Sequence, residues 1–195
     1  MYKRQVHDGA GNGAVVVNAH GADGDRLLLE SAPFEVLEGA IALAAAVDAA
    51  EVILYASAAD TDAVETALEA IAAHPDPTVP LDVVTGPAEH RAAEPTMAIE
   101  AVEGNHRLEA RITPPGPEEF GLHGRPTLAH LAAALREDDV PATRVVTVSG
   151  DVGTPATVEL PESATLDAAV DAVDADEEVK AACVGGRFGG VTRDL

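Results

Sequence analysis

The sequence is poor in cysteine, aromatic residues and long apolar runs. Its only cysteine is Cys183, so the chain by itself forms neither an internal disulfide nor a cysteine-based metal site. It has no tryptophan and only 3% aromatic residues, so its core must be built from alanine, valine, leucine and isoleucine. No apolar run reaches the roughly 18 residues of a membrane-spanning helix, and the first residues lack the apolar stretch of a signal peptide. We therefore expect a cytoplasmic protein that does not insert into a membrane.

Basic residues are also scarce. The 195 residues include 34 acidic and 12 basic ones, for a net charge of −22, and the only lysines are Lys3 and Lys180. Such self-repulsion destabilises the compact state at ordinary ionic strength. In molar salt the Debye length falls to about 3 Å and the repulsion is screened. The composition is similar to that of halophilic proteins from salt-loving archaea, with an ordinary acidic cytosolic protein as the alternative. The acidity argues against a nucleic-acid partner.

The sequence does contain a regular alternation of strand-like and helix-like segments. The predicted strands are Val15–Val17, Glu51–Ser57 and Val79–Gly86. The predicted helices are one capped by Ser31 with Pro33 in its first turn, one capped by Asp60 or Thr61 that ends at His74, one over Glu94–Gly104 and one over Thr127–Glu137. Strands separated by helices predict an α/β fold with a mostly parallel sheet, a partial Rossmann-like domain.

Two segments of this first part are predicted to be irregular. The valine strand stops at Asn18, and polar, glycine-containing residues follow as far as Arg26. Ligands of open α/β proteins bind in such loops at the carboxyl ends of strands, although this loop has no phosphate-binding glycine motif and no lysine. Residues 112–126 hold four prolines, which argues against a helix or a central strand. The segment is also too long for a connector without a function.

The composition changes at Asp138–Pro141, where we place a domain boundary. Beyond it, two strands joined by a Gly-Thr-Pro turn, a short helix and a final strand predict a small β-grasp (ubiquitin-like) domain over residues 142–195. Residues 14–141 form the first domain. Residues 1–13 are expected to be an N-terminal extension with a truncated or artefactual start, because Met1–Gln5 differs in composition from the acidic remainder.

Three stretches carry motifs that occur together in one family. Residues 15–44 contain Asn18-Ala19, Asp25-Arg26, Glu30, Pro33 and Glu38-Gly39. Residues 92–127 contain Glu94, Thr96, Glu103-Gly104, Arg111, Pro114-Pro115, Pro117 and Gly124-Arg125-Pro126-Thr127. Residues 145–170 look like a soluble-ligand-binding β-grasp domain. In this order they resemble the family of the flavin- and NADH-binding subunit of respiratory complex I, the NADH-quinone oxidoreductase, whose relatives occur in NAD-linked hydrogenases and formate dehydrogenases.

The resemblance implies hydride transfer from NADH to flavin mononucleotide (FMN) and onward transfer of electrons to iron–sulfur clusters. It places five residues at the cofactor site and implies no catalytic side chain beyond them: Asn18, His20, Glu94, Thr127 and His130. One cysteine cannot ligate a cluster within this chain, and we expect no other metal site. The expected partners are other subunits of an electron-transfer complex.

Structural interpretations of the same residues remain open. Asn18 is also suited to turning the chain after a strand, and Glu94 to offsetting a helix dipole. Thr127 is equally explained as an N-cap, and His130 as a core residue of an alanine- and leucine-rich helix.

The sequence also departs from the family pattern. His20-Gly21 replaces an acidic pair, Pro95 replaces a second glutamate, and His130-Leu131 replaces a pair of asparagines. The family's glycine-rich loop, which lies before the first strand, is not in this sequence. Whether the protein is an enzyme is therefore open. The alternative is a non-catalytic relative that serves as a scaffold or binding module of an electron-transfer complex, and a third possibility is a small-ligand binder that acts through the β-grasp domain.

Overall fold

The computed structural model describes residues 13–105, 120–123, 125–137, 140–173, 175, 179–185 and 189–193. The chain divides into two compact units, Met1–Val140 and Pro141–Leu195. In the described residues, the first unit is a parallel sheet covered by helices. The second unit contains two antiparallel strand pairs and one helix.

The first unit alternates strands and helices, as predicted. Its elements are β1 (Ala14–Asn18), α1 (Asp23–Ser31), α2 (Pro33–Ala46), β2 (Glu51–Ser57), α3 (Thr61–Ala73), β3 (Leu81–Gly86), a 3-10 helix (His90–Ala93), α4 (Pro95–Val102), β4 (Phe120–His123) and α5 (Arg125–Arg136). The sheet order is β3-β2-β1-β4 with every pairing parallel, which confirms the predicted α/β, Rossmann-like fold. Over the described ranges, no helix combines the length and the apolar character needed to cross a lipid bilayer.

Alternation along the two central strands produces two core layers, one on each face of the sheet. The first layer packs beneath α1, α2, α3 and α5, and its strand residues include Val15, Val17, Val52 and Leu54. The second layer packs against α4, and its strand residues include Val16, Ile53 and Tyr55. Because both faces are covered, β1 and β2 are almost entirely apolar, as is typical of buried parallel strands.

The chain after β1 differs from the prediction. The helix α1 begins at Asp23, so the loop that follows β1 comprises only residues 19–22 and does not extend to Arg26. Asp23 and Asp25 lie in the first turn of α1, where negative charge offsets the helix dipole. Ser31 ends α1 and donates a hydrogen bond to the Leu27 carbonyl at 2.6 Å. The prediction that Ser31 caps the next helix is therefore wrong.

The proline-rich segment ends in an element that the sequence pattern does not predict. Phe120–His123 forms β4, an edge strand that pairs with β1. An edge strand needs only one hydrogen-bonded neighbour, so it tolerates nearby prolines better than a central strand does. The helix α5 begins at Arg125, so the interpretation of Thr127 as its N-cap is wrong. Residues 112–119 and 124 of this stretch lie outside the described residues.

The helices α2 and α5 approach each other closely at Gly39. A Cβ atom placed on Gly39 would lie 2.0 Å from the carbonyl oxygen of Leu128, which is a steric overlap with backbone. Further along the pair, the Arg136 guanidinium donates to the Glu38 carboxylate and lies 3.9 Å from that of Glu35. Glycine is therefore required at the contact, which places α5 against the first core layer.

The second unit follows the predicted order, with one difference. Its elements are β5 (Thr143–Val148), β6 (Ala156–Pro161), α6 (Leu166–Asp171), β7 (Ala182–Val184) and β8 (Gly190–Thr192). The strands β5 and β6 form one antiparallel pair, and β7 and β8 form another, so the predicted single final strand is two short strands. Thr165 caps α6 by accepting a hydrogen bond from the Ala168 amide at 3.4 Å. The β-grasp assignment stays a prediction.

Candidate functional site

The candidate site lies at the carboxyl edge of the parallel sheet, where β1, β2 and β3 end side by side. Asn18 pairs with Tyr55 in the register of β1 and β2, and Gly86 ends β3 beside Ser57. The ladder continues one residue past β1, because the Ala19 amide donates to the Tyr55 carbonyl at 2.6 Å. Alternation then places Asn18 and His20 on the face of the sheet that carries α4.

The Asn18 side chain is held at both ends of its amide. Its Nδ2 donates to the Ala93 carbonyl at 2.8 Å, across 75 residues of sequence. Its Oδ1 accepts from the His20 amide at 3.2 Å, which closes a local turn after the strand. Both bonds fix the plane of the amide, and they connect the end of β1 to the residue before Glu94.

His20 is buried, with 6% of its surface exposed. Its Nε2 lies 2.8 Å from the Pro87 carbonyl oxygen. A carbonyl oxygen only accepts, so Nε2 carries the proton in this contact and, in the neutral ring, Nδ1 is the bare acceptor. That Nδ1 is buried and has no hydrogen-bond partner among the described residues. An unsatisfied buried acceptor is unfavourable, by about 1–3 kcal/mol in typical proteins.

Tyr55 is a member of this site that the sequence patterns did not indicate. It is fully buried in β2, and its hydroxyl donates to the Ala92 carbonyl at 3.1 Å. Its ring stacks on the ring of His20, with centroids 5.5 Å apart. Burial raises the pKa of the Tyr55 phenol above its ordinary value of 10.0. A tyrosine inside an otherwise aliphatic strand was the available signal, since a buried phenol must find an acceptor.

Two glycines allow the close packing around these rings. A Cβ at Gly86 would lie 1.9 Å from the Tyr55 hydroxyl oxygen, so only glycine leaves room for the phenol. Gly21 has a φ of +95°, and a Cβ there would lie 2.9 Å from the Cβ of Ala93. Residue 21 therefore suits glycine both for its backbone conformation and for the space available.

Glu94 works as the N-cap of α4. Its carboxylate accepts from the Met97 amide at 3.1 Å and from the Thr96 hydroxyl at 2.5 Å. Partial burial alone raises the pKa of the Glu94 carboxyl, but the hydrogen bonds from Thr96 and Met97 outweigh it, and the net pKa lies below the ordinary value of 4.5. The carboxylate is thus ionised and hydrogen-bonded within its own helix, in line with the helix-dipole interpretation.

The other two candidate residues lie on α5. Thr127 is in the first turn of that helix, which starts two residues beyond the end of β4, and His130 is half-buried one turn further along. Because β4 pairs with β1 on the side away from β2, α5 begins at the same edge of the sheet. The structure joins Asn18, His20 and Glu94 through residues 87–94, and it places Thr127 and His130 on a separate element.

Residues 87–94, here called the strap, cross the ends of β1 and β2. Three side chains from β1, β2 and the loop after β1 donate to strap carbonyls: His20 to Pro87, Tyr55 to Ala92 and Asn18 to Ala93. In the part of the chain that the structure describes, no group of three or more His, Cys, Asp or Glu side chains is placed to hold a metal ion. In this arrangement, the Asn18 amide, the His20 ring and the Tyr55 hydroxyl hold the strap.

Known proteins with this fold include the NAD+-reducing nickel–iron hydrogenase. The structure of its H2-reduced state matches with a TM-score of 0.76 and 23% identity, over 95% of this chain and 37% of that chain. The air-oxidized state matches with a TM-score of 0.76 and 22% identity over the same shares. Comparison with protein-family models and with curated proteins finds no match. At these identities the likeness establishes a shared fold, and this chain spans little more than a third of the hydrogenase chain.

Proposed function

We propose that this chain is a non-catalytic module of an NADH-linked electron-transfer assembly, in which it binds protein partners and carries no flavin of its own. The observation that carries the proposal is the use of Asn18 and Glu94 within the fold. The Asn18 amide holds the strap and the His20 backbone, while the Glu94 carboxylate caps α4. Both residues match the family pattern, and the resemblance places both at the cofactor site.

The residues present do not fit an FMN molecule in this arrangement. A flavin edge needs polar side chains with hydrogen-bonding capacity directed at it, held in a fixed plane. Turning Asn18 toward a ligand would break two hydrogen bonds, and turning Glu94 away would uncap α4. Gly21 and Pro95 stand where the family pattern has acidic side chains, so neither can supply a replacement.

The electron-transfer context is supported by two observations. Three stretches with motifs of the family occur in the family's order between residues 15 and 170. A fold match to an NAD+-reducing hydrogenase covers 95% of it. The partners are proposed to be subunits that carry flavin or iron–sulfur clusters, bound in a salt-rich cytoplasm.

A second candidate is the family's own activity, oxidation of NADH by bound FMN. One observation favours it: Asn18 is hydrogen-bonded to the residue that precedes Glu94, so the two lie near each other at the carboxyl edge of the sheet. That edge is where parallel α/β sheets bind nucleotides. This activity requires the strap to move and the Asn18 amide to exchange its partners for the flavin.

A reconstitution experiment separates the two candidates. The purified chain in molar potassium chloride is incubated with FMN, freed of unbound flavin by gel filtration, and examined by visible absorbance before and after addition of NADH. We expect a colourless protein peak. A peak that retains one flavin per chain, is bleached by NADH and loses the flavin in an Asn18→Ala variant would overturn the proposal.

The scaffold role needs a positive result as well. The tagged chain is expressed in a salt-loving host and purified in molar salt, and the visible spectrum of the isolated complex is recorded. We expect flavin or iron–sulfur absorbance that belongs to co-purifying chains and separates from this chain when the complex is dissociated. A chain that purifies alone, colourless and monomeric from a host containing its proposed partners contradicts the scaffold role.

A further inference from the structure

We propose that the strap is a gate over the carboxyl edge of the sheet, which opens as one unit by breaking its three side-chain hydrogen bonds. The bonds lie at both ends of the strap. His20 binds Pro87 at the first end, and Tyr55 and Asn18 bind the neighbouring residues Ala92 and Ala93 at the other. They carry the proposal independently of any flavin or partner.

The strap is held mainly by these bonds and little by apolar packing. Of its residues, Ala92 is fully buried, while His90, Arg91 and Glu89 are exposed. Arg91 pairs with Glu89, which belongs to the same segment, so this ion pair does not tie the strap to the sheet. A segment with few buried apolar contacts opens more readily than the core beneath it.

The closed state also leaves one group unsatisfied. With Nε2 donating to Pro87, the His20 Nδ1 remains a buried acceptor without a donor among the described residues. Opening the strap exposes this nitrogen to water, so part of the loss of the three bonds is recovered. The free-energy difference that favours the closed form is therefore smaller than its three hydrogen bonds alone would give.

Opening of the strap uncovers polar groups at the carboxyl edge of the sheet. The Asn18 amide, the Tyr55 hydroxyl and the His20 ring become available together, at the edge where parallel α/β sheets receive ligands. A small ligand that uses any of these groups binds only the open form. Its apparent affinity is then reduced by the fraction of molecules in which the strap is closed.

Arg91 makes the opening measurable with trypsin. Its side chain is exposed, but the bond that trypsin cuts joins it to Ala92, which is buried and hydrogen-bonded through both its amide and its carbonyl. When opening is fast relative to cleavage, the cleavage rate follows the population of the open form. Arg26, in the middle of α1, supplies a reference bond that is cut only when the helix unfolds.

The variants are Tyr55→Phe, which keeps the ring stack and removes the hydroxyl, and Asn18→Ala. Each removes one hydrogen bond to the strap, so each should raise cleavage at Arg91 about two- to tenfold relative to cleavage at Arg26. The double variant should multiply the two factors, because one opening event breaks both bonds. Hydrogen exchange over residues 87–94 should accelerate by one common factor in each variant.

Gly39→Ala is the matched control, because it disturbs the α2–α5 contact and leaves the strap bonds intact. If the gate exists, Gly39→Ala raises cleavage at Arg26 and leaves cleavage at Arg91 nearly unchanged, because local opening of the strap does not depend on the α2–α5 contact. The proposal is overturned if Arg91 and Arg26 are cut in a constant ratio in all variants, since cleavage then requires unfolding of the whole unit. It is also overturned if the Asn18 and Tyr55 effects fail to combine.

Discussion

The ring of His20 lies on the ring of Tyr55, with centroids 5.5 Å apart and ring planes 17° from parallel. The pair forms because Ala19 continues the β1–β2 ladder and carries His20 across the end of the neighbouring strand. Stacking of this kind contributes about 0.5–1.5 kcal/mol beyond the area it buries. Both rings also donate to the strap, so one packing contact positions two of its three hydrogen bonds.

Tyr55 should ionise later than an exposed tyrosine. The chain has two tyrosines, so a Tyr2→Phe variant leaves Tyr55 as the only one. Burial raises its pKa above 10.0, so its contribution to stability is complete below that pH and is lost as the pH rises through the folded-state value. A near-ultraviolet absorbance titration should show tyrosinate appearing above its ordinary midpoint, together with unfolding. A tyrosinate titration centred at pH 10.0, with the protein still folded, would contradict burial of the Tyr55 hydroxyl.

Glu94 should stabilise α4 at neutral pH and less so in acid. Replacing it with alanine removes a cap, for an expected loss of about 1 kcal/mol in the free energy of unfolding. Its pKa lies below 4.5, so the contribution is present above that pH and disappears as the pH falls through the folded-state value. Urea unfolding of the wild type and Glu94→Ala at neutral and acidic pH measures both effects.

The control for this prediction is Glu65→Ala, at an exposed position of α3. It should change stability by no more than about 0.5 kcal/mol. An equal loss in the two variants, or a Glu94→Ala loss that persists at a pH well below 4.5, would show that capping is not what Glu94 contributes.

Gly39→Ala should destabilise the protein despite alanine's better helix propensity. Propensity alone favours alanine by about 1 kcal/mol inside a helix. The new Cβ would lie 2.0 Å from the Leu128 carbonyl oxygen, and forcing such a contact in a packed interior typically destabilises by about 1–3 kcal/mol. Ala45→Gly, at an exposed position of the same helix, measures the propensity difference directly. Stabilisation of Gly39→Ala by that same amount would contradict the close approach of α2 and α5.

The thermal unfolding midpoint should rise as the potassium chloride concentration is increased from low to molar. The net charge of −22 repels itself in the compact state, and molar salt screens that repulsion. The ion pairs of Arg136 with α2 are weakened by the same salt, but such exposed pairs contribute at most about 1 kcal/mol each. Urea is the denaturant for the matching equilibrium measurement, because guanidinium is itself a salt. A midpoint that is flat or falls with salt would mean that self-repulsion does not limit stability.

Local patterns predict the main strands and helices because they depend on short-range physics. Glu51–Ser57 is a nearly uninterrupted apolar run and forms β2 with those limits. The helix before His74 ends where predicted, and Pro33 occupies the first turn of α2. By contrast, Ser31 lies at a helix boundary where two helices compete for the same polar residue, and the sequence pattern alone assigns it to the wrong one.

Some features of the candidate site also follow from local sequence, and others depend on the folded structure. The end of β1 at Asn18, the cap at Glu94 and the apolar faces of the helices follow from residue types and their spacing within a few positions along the chain. The bonds from Asn18 to Ala93, from His20 to Pro87 and from Tyr55 to Ala92 join residues 75, 67 and 37 positions apart. They exist because β1, β2 and β3 end at one edge of a parallel sheet, and only folding brings that edge together. Local sequence therefore specifies which residues are polar at the strand ends, whereas the three-dimensional packing decides that they bind the strap and leave the His20 Nδ1 without a partner among the described residues.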